Sequence, residues 1–302
     1  MAEKVVITGA FSYSGKYATR LLLSRGYTVR TITNHPEREN EFGDDVEVFH
    51  FNFQKPEELA QSLHGASCLI NTYWIRFPHG HATFDAAVRN TITLIQAAKK
   101  AGIRRIVHVS IANPSIESPL AYYRGKAQLE QAVINSGLAY TILRPTVIFG
   151  PEDILINNIA WFARHLPVFG IPGDGRYGIR PIYVKDMAKL IVGSIEKQRN
   201  EVINAVGPET FTFEELVRRI ASALDRPARV VHVPTLVAYL STRIAGLFLY
   251  DVVLTWEEYR GLMANLLAPE GPATGEIRLT QWLSQNRERL GLHYASELAR
   301  HY

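Results

Sequence analysis

Cysteine is almost missing from this chain. Cys68 stands alone among 302 residues, inside the apolar run Ala66-Ser67-Cys68-Leu69-Ile70-Asn71. No disulfide can close within one chain, which fits a reducing, cytoplasmic compartment. No histidine or arginine adjoins Cys68 to hold a thiolate, so it reads as a small core residue rather than a nucleophile. Repeats and low-complexity tracts are also missing, which excludes solenoid and disordered classes. The N-terminus opens directly into an apolar strand, so no secretory signal is expected. No uncharged apolar run is long enough to cross a bilayer; the most apolar segment outside the strands, Leu236 to Leu254, is interrupted by Arg243 and Asp251. That segment reads as a core or interface helix, with a peripheral membrane or protein-complex contact as its alternative. Charge is nearly balanced at +4. The densest basic cluster, Lys99, Lys100, Arg104 and Arg105, straddles a helix end where the dipole favours cations, so nucleic acid is not an expected partner. His79 and His81 have metal-like spacing, but no nearby cysteine or carboxylate pair completes a site, so no metal is expected.

What is present is organised around Val5 to Lys16, VVITGAFSYSGK. A short apolar run ends in Thr8-Gly9, passes through small and polar residues, and re-enters a periodic pattern after Gly15. This spacing predicts a strand, a tight turn and a helix start, where backbone N–H groups and the positive end of the helix dipole favour a diphosphate. Gly9 permits the turn, Gly15 lets the helix pack close to its strand, and Ser12 stands where a third glycine would complete Gly-x-x-Gly-x-x-Gly. Ser12 adds bulk and a possible donor to phosphate.

Strand patterns follow at Tyr27 to Ile32, Val46 to Phe51, Cys68 to Asn71, Arg104 to Val109 and Leu138 to Leu143. Helical patterns separate them at Lys16 to Arg25, Pro56 to Leu63, His81 to Ala101 and Tyr122 to Ser136. The alternation predicts an α/β fold with a doubly wound parallel sheet of Rossmann type. Glycine and proline punctuate residues 149–178 around a helix at Ile154 to His165, so this stretch reads as loop-rich. A helix is predicted over Ile182 to Lys197 and a seventh strand over Glu201 to Ala205. Beyond Gly207-Pro208 the chain reads as mainly helical, with a helix start at Thr212-Phe213-Glu214-Glu215 and two short helices between Leu279 and Tyr302 on either side of Gly291. The expected domains are a dinucleotide-binding part at residues 1–150 plus about 181–206, and a smaller, mainly helical substrate domain at about 151–180 plus 207–302.

In such sheets the tip of the second strand meets the adenosine ribose, and an acid there selects NAD. Here the tip is Thr33-Asn34-His35, with Arg30 and Arg38 nearby and no acid, so the site leans to NADP. Ligands sit at the carboxyl ends of parallel strands. The candidate cofactor contacts are therefore Gly9, Phe11, Ser12, Tyr13, Ser14 and Gly15 in the turn, Asn34 and His35, Asn52 and Phe53, Asn71, Thr72 and Tyr73, and Pro145 and Thr146. Tyr73-Trp74 reads equally well as aromatic packing beneath a loop. Tyr122 and Lys126 share one helix face at i, i+4. An ammonium beside a phenol favours the phenolate, so the pair can move a proton beside a carbonyl or alcohol, and Lys126 can also hold the nicotinamide ribose.

With these landmarks in order, the sequence resembles the extended or atypical short-chain dehydrogenase/reductases. Thr8-Gly9 with Gly15, the Asn52 position, Tyr122 with Lys126, and Arg144-Pro145 carry the resemblance, and Arg180-Pro181-Ile182-Tyr183-Val184-Lys185-Asp186 resembles the family's Arg-Asp-Phe-Ile-His-Val-Asp-Asp segment. It covers roughly the first 230 residues. The chain is most similar to the epimerase/dehydratase-like branch that includes the reductase-like accessory subunit of respiratory complex I. The resemblance implies catalytic roles for Tyr122, Lys126 and Ser110, and substrate contacts at Tyr73, Ala112, Asn157 and Arg180. Three departures stand out. Ala112 occupies the place where the family puts a serine or threonine to bind the substrate oxygen. Asn52 replaces an aspartate, and Ser12 replaces the middle glycine. The first expectation is an NADP-preferring oxidoreductase acting on a carbonyl or alcohol. The alternatives are a non-catalytic NAD(P)-binding sensor or complex subunit, and a sugar-nucleotide epimerase or dehydratase.

Overall fold

A computed structural model describes residues 3–226 and 229–301; Tyr302, the end of the predicted closing stretch, lies outside the described residues. In chain order the elements are β1 (Lys4–Thr8), α1 (Tyr13–Ser24), β2 (Thr28–Thr33), β3 (Val46–His50), α2 (Pro56–Leu63), β4 (Cys68–Asn71), α3 (Phe84–Lys100), β5 (Arg105–Val109), α4 (Ala121–Ile134) and β6 (Ala139–Pro145). They continue with β7 (Ile148–Phe149), α5 (Leu155–His165), β8 (Val168–Pro172), β9 (Gly178–Ile179), β10 (Ile182–Tyr183), α6 (Val184–Gly193), β11 (Glu201–Ala205), β12 (Phe211–Thr212) and α7 (Phe213–Ala223). The last are β13 (Arg229–Val233), α8 (Thr235–Leu249), α9 (Trp256–Met263), α10 (Leu279–Asn286) and α11 (Glu297–His301). Two compact units result: one runs to Pro145 and takes up Val184–Ala205, and the other holds Thr146–Tyr183 and continues from Val206.

The first unit carries a seven-stranded sheet in the order β11-β6-β5-β4-β1-β2-β3. All of its pairings are parallel. β1 is flanked by β2 on one side and β4 on the other, so the chain reverses its winding there, and the carboxyl ends of β1 and β4 border a topological switch point. Val5, Val6 and Ile7 of β1 and Leu69 and Ile70 of β4 are fully enclosed, as strands covered by helices on both faces must be. Leu59, Leu63, Leu94 and Ile95 pack on one face of the sheet with Val6, Leu69 and Ile106. The helix limits follow local chemistry. Pro56 opens α2 with Glu57 and Glu58 in its first turn. In α3 the Thr83 hydroxyl accepts from Ala86 N, and Lys99 and Lys100 close the last turn.

The second unit has its own core, in which Phe149, Ile156, Ile171, Ile179, Leu216 and Trp282 meet. Its helix α7 starts at the predicted Thr212 with a reciprocal capping box to Glu215. The region predicted as loops and helices also contains strands. β8 pairs in parallel with β13 over five residues, from Arg229 opposite Val168 to Val233 opposite Pro172. The β13 strand is mostly exposed. Without a buried face, its sequence carried no alternation to distinguish it from a turn. Several boundaries also move. The first helix begins at Tyr13 rather than Lys16, the third at Phe84 rather than His81, and the segment from Ile182 spends two residues in β10 before α6 ends at Gly193.

Candidate functional site

The turn after β1 is closed by contacts that leave no room for side chains. Gly9 sits at φ +70°, and Ser12 N donates to its carbonyl at 2.9 Å. A Cβ on Gly15 would lie 2.0 Å from the Gly9 carbonyl oxygen, so the constraint on Gly15 comes from the turn itself. The Ser12 hydroxyl also donates to Gly9 O, at 2.6 Å, instead of capping α1, and no acidic residue lies in the helix's first turn. The predicted donation from Ser12 to phosphate is thereby replaced by a bond that holds the turn. A cradle open only to backbone, at a helix start free of negative charge, fits the diphosphate of a dinucleotide. Of the other turn residues, Phe11 stacks on Phe42 with ring centroids 6.3 Å apart, and Tyr13 meets Tyr17 edge-on. Ser14 lies in the first turn of α1.

Thr8, Asn71, Thr72 and Tyr73 lock the ends of β1 and β4 together. Asn71 Oδ1 accepts from the Thr8 hydroxyl at 3.2 Å and from Tyr73 N at 3.1 Å, and Thr72 N donates to Thr8 Oγ1 at 2.7 Å. The Thr72 hydroxyl donates to the Thr8 carbonyl. Asn71 is fully buried, which makes it a brace of the switch point. Tyr73 packs its ring against Phe51 and Phe53 at 5.1 and 5.3 Å, and its hydroxyl accepts from Asn90 at 3.1 Å. Burial raises the Tyr73 phenol above its ordinary range, partly offset by the Asn90 bond.

On the other side of the switch point, Asn34, His35 and Arg38 follow β2 and are exposed. Arg30 is not part of that group. Its guanidinium is buried, donating to Glu47 at 2.8 Å and to the Ser62 carbonyl at 2.6 Å, so it holds β2, β3 and the end of α2 together. Asn52 donates to Glu58 at 2.6 Å, leaving its carbonyl oxygen to other donors.

The predicted pair lies on α4, but its surroundings differ from the sequence expectation. Lys126 is only 3% exposed, and its Nζ donates to the Val109 carbonyl at 2.9 Å while lying 4.7 Å from the centroid of Trp74. Trp74 stacks on Phe84 at 5.8 Å and meets Tyr122 edge-on at 5.6 Å. Gly125 makes this roof possible, since a Cβ there would lie 2.9 Å from the Trp74 ring. Burial lowers the Lys126 amine to about 7, against the opposing pull of Glu130. Glu130 is itself paired with Arg144, with Nη2 2.5 Å from Oε2. An amine that loses its charge near neutrality is a weaker electrostatic partner for a phenolate than an ordinary lysine.

Beside Lys126, His108 is fully enclosed, and burial, then the Lys126 charge, pushes its imidazole down to about 3. Because Asn71 Oδ1 receives two donors, its amide nitrogen faces His108 Nδ1, at 3.0 Å. Nδ1 then accepts and Nε2 carries the proton. His108 Nε2, Ser110 Oγ and Trp74 Nε1 are buried without a hydrogen-bond partner among the described residues. Ala112 is also fully buried, its N–H donating to the Pro145 carbonyl at 2.8 Å, so its position offers no side-chain donor. Sequence periodicity gave no sign of His108 or of the Trp74 roof. Gly125, a glycine inside a helix between Tyr122 and Lys126, was the available signal.

The remaining candidates belong to the second unit, where each is engaged locally. The Thr146 hydroxyl donates to the Arg180 carbonyl. Arg180 donates to the carbonyls of Gly207 at 3.0 Å and Gly271 at 2.8 Å, so it fastens loops where an anion anchor was expected. Asn157 donates to the His293 carbonyl at 2.9 Å and accepts from Gly291 N at 3.0 Å, which makes it a clasp for the closing segment rather than an open substrate contact.

Residues 9–154 match the NAD(P)H-binding family model. Among curated relatives, the chain is 26% identical over 240 residues to the mitochondrial NADH dehydrogenase [ubiquinone] 1 alpha subcomplex subunit 9 of Arabidopsis thaliana, covering 76% of this chain and 60% of the relative. It is 22% identical over 251 residues to the photosystem II assembly factor Ycf39 of Cyanidium caldarium, covering 82% and 79% of the two chains. The chain thus spans about 60% of the length of the first of these relatives. Among solved structures, the triphenylmethane reductase of Citrobacter sp., crystallised with NADP(H), superposes with a TM-score of 0.74 at 19% identity, covering 94% of this chain and 99% of that one. At that identity the likeness concerns the fold alone.

Proposed function

We propose that this chain, whose residues 9–154 match the NAD(P)H-binding family model and which is similar to the subunit-9 type of complex I protein, holds NAD(P)(H) as a sensing or structural ligand rather than turning over a carbonyl substrate. The observation that carries this reading is the state of Lys126, bonded to the Val109 carbonyl and roofed by Trp74. Ala112 adds to it, since a substrate oxygen would meet no hydroxyl there, and one missing oxyanion donor can lower a rate roughly a hundredfold or more. The names of the two curated relatives, a respiratory-complex subunit and an assembly factor, describe assembly and support the same reading.

In this reading Gly9 to Gly15 hold the diphosphate, Asn34 and His35 face the adenosine ribose, and Asn52 and Phe53 face adenine. The dinucleotide, when bound, supplies a hydride donor or acceptor. NADP is preferred because the tip Thr33-Asn34-His35 carries no acid and the exposed Arg38 follows it, between Glu37 and Glu39, Arg30 being engaged elsewhere. The experiment has two parts: mass spectrometry of the small molecules released on denaturing purified protein, and a turnover assay with NADPH and NADH on a carbonyl panel. Release of NADP(H) without steady-state turnover is the expected result. Carbonyl reduction abolished by Tyr122→Phe would overturn the proposal. One observation favours that second, reductase reading: the buried Ser110 hydroxyl has no partner among the described residues and could orient a substrate oxygen.

A further inference from the structure

Helix α8 is inverted relative to an ordinary surface helix. Its inward face is small, with Ala238 and Gly246 buried, and a Cβ on Gly246 would lie 2.5 Å from the Asp251 carbonyl oxygen. Its outward face is apolar. Leu236, Val237, Leu240, Ile244, Leu247 and Phe248 are between 49% and 80% exposed. At 3.6 residues per turn these side chains fall within an arc of about 120°, bordered by Arg243 on one side and Ser241 on the other. Beyond the helix end, Tyr250 is 88% exposed in a left-handed conformation. Trp256 of α9 is 42% exposed and meets Tyr239 of α8 at 5.3 Å. From Arg229 to Tyr250 the sequence contains Arg229 and Arg243 and no acidic residue.

We propose that α8 lies in the plane of an anionic lipid surface, with Leu236, Leu240, Ile244, Leu247 and Phe248 in the acyl boundary and Arg243 at the headgroups. Three features select lipid as the occupant. The stripe is an apolar arc with a cation at its edge, the pattern of in-plane interfacial helices. Its end carries Phe248, Tyr250 and Trp256, and tyrosine and tryptophan favour the headgroup level. The one charged residue of α8 is Arg243, a cation, which complements anionic headgroups. The geometry is in-plane rather than spanning: 15 residues of helix extend about 22 Å, short of a hydrocarbon core of about 30 Å. No helix among the described residues is long and apolar enough to cross a membrane. This inference is independent of the dinucleotide and holds whether or not the site turns over.

The test is sedimentation of the full chain with vesicles of phosphatidylglycerol mixed with phosphatidylcholine, and with phosphatidylcholine alone, while tryptophan emission is followed and Trp256→Phe separates the part that Trp256 contributes. The expected result is co-sedimentation with a blue shift on mixed vesicles. Leu247→Glu with Phe248→Glu should lower the partition coefficient by about tenfold or more, because two large side chains leave the apolar phase. Arg243→Glu should lower it severalfold on mixed vesicles and leave neutral vesicles unchanged. Leu247→Ser provides a milder variant whose binding should fall in the same direction, with circular dichroism confirming the fold of each. Failure of the chain to sediment with either vesicle overturns the proposal, as does partition unaffected by the double substitution. A vesicle-free, concentration-dependent dimer abolished by the same double substitution would overturn it too, since the face would then belong to a second copy.

Discussion

The two units depart from ordinary burial in opposite directions. The first encloses polar groups: Arg30, Arg105, His108, Lys126, Glu130 and Thr141 are each at most 7% exposed. Most of these are paired, as Arg105 is with Thr141 at 3.1 Å; His108 Nε2, beside Lys126, is without a partner among the described residues, as are the buried Ser110 Oγ and Trp74 Nε1. The second leaves apolar groups in solvent, concentrated on α8. The difference bears on function because the two departures differ in cost. A buried donor or acceptor without a partner costs about 1–3 kcal/mol, so its persistence points to a site. An exposed leucine costs the fold nothing directly and forfeits about 1.5–3 kcal/mol of burial, which a surface contact can recover. The first unit is therefore read through its unpaired interior and the second through its outward face.

The largest expected effect tests whether the glycine cradle belongs to binding as well as to folding. Gly15→Ala places a Cβ 2.0 Å from the Gly9 carbonyl oxygen, a backbone atom that cannot swing aside. We expect a loss of about 3 kcal/mol or more in urea unfolding, together with loss of NADP(H) binding by calorimetry. The matching glycine of the second unit is Gly291, where a Cβ would lie 2.5 Å from Ala160 C and Trp161 N. Gly291→Ala should destabilise while sparing dinucleotide affinity measured below its transition. Equal loss of affinity in both variants would break the assignment of the cradle to the first unit alone.

The sheet was legible because its strands are short apolar runs separated by strongly periodic helices, and β4, β11 and α2 fall on their predicted limits. The β8–β13 ribbon was not. Its partners are some sixty residues apart and β13 has no buried face to impose alternation, so nothing local announced the pairing. The glycine turn and the Tyr122–Lys126 pair were visible as spacing. What surrounds them was not, because spacing places Lys126 on a helix face without revealing that Trp74, from the end of another strand, closes over it. Arg30 illustrates the same limit: its position beside the ribose-binding tip suggested a phosphate partner, whereas alternation along β2 sends it to Glu47 and the Ser62 carbonyl.

A second, smaller effect separates a buried neutral amine from an ordinary catalytic ammonium. The Lys126 amine is lowered to about 7 in the fold, whereas a lysine in the unfolded chain titrates near its reference value of about 10.4. Between these values the unfolded state binds more protons than the folded one, so stability rises with pH, by up to about 1.4 kcal/mol per unit. Below about 7 both states are protonated and this contribution is flat. The measurement is the urea midpoint of the protein against that of Lys126→Met across pH 6 to 10. Their difference should change steadily with pH above neutrality and be constant below it. A pH-independent difference would show that Lys126 keeps its charge in the fold, and would return the pair to the reductase reading.

The smallest expected effect is the sharpest test of the outward face of α8. Leu247 is 75% exposed, so Leu247→Gln removes no packing and should change stability by no more than about 0.5 kcal/mol. The comparable change at a buried leucine of the first unit, Leu94→Gln, places an amide in a fully enclosed position and should cost about 3 kcal/mol or more. Thermal unfolding of the two variants in the absence of vesicles measures both. If Leu247→Gln were to lose more than about 1 kcal/mol, that side chain would be packed in solution, and the contrast between an enclosed first unit and an outward-facing second would fail at its most exposed helix.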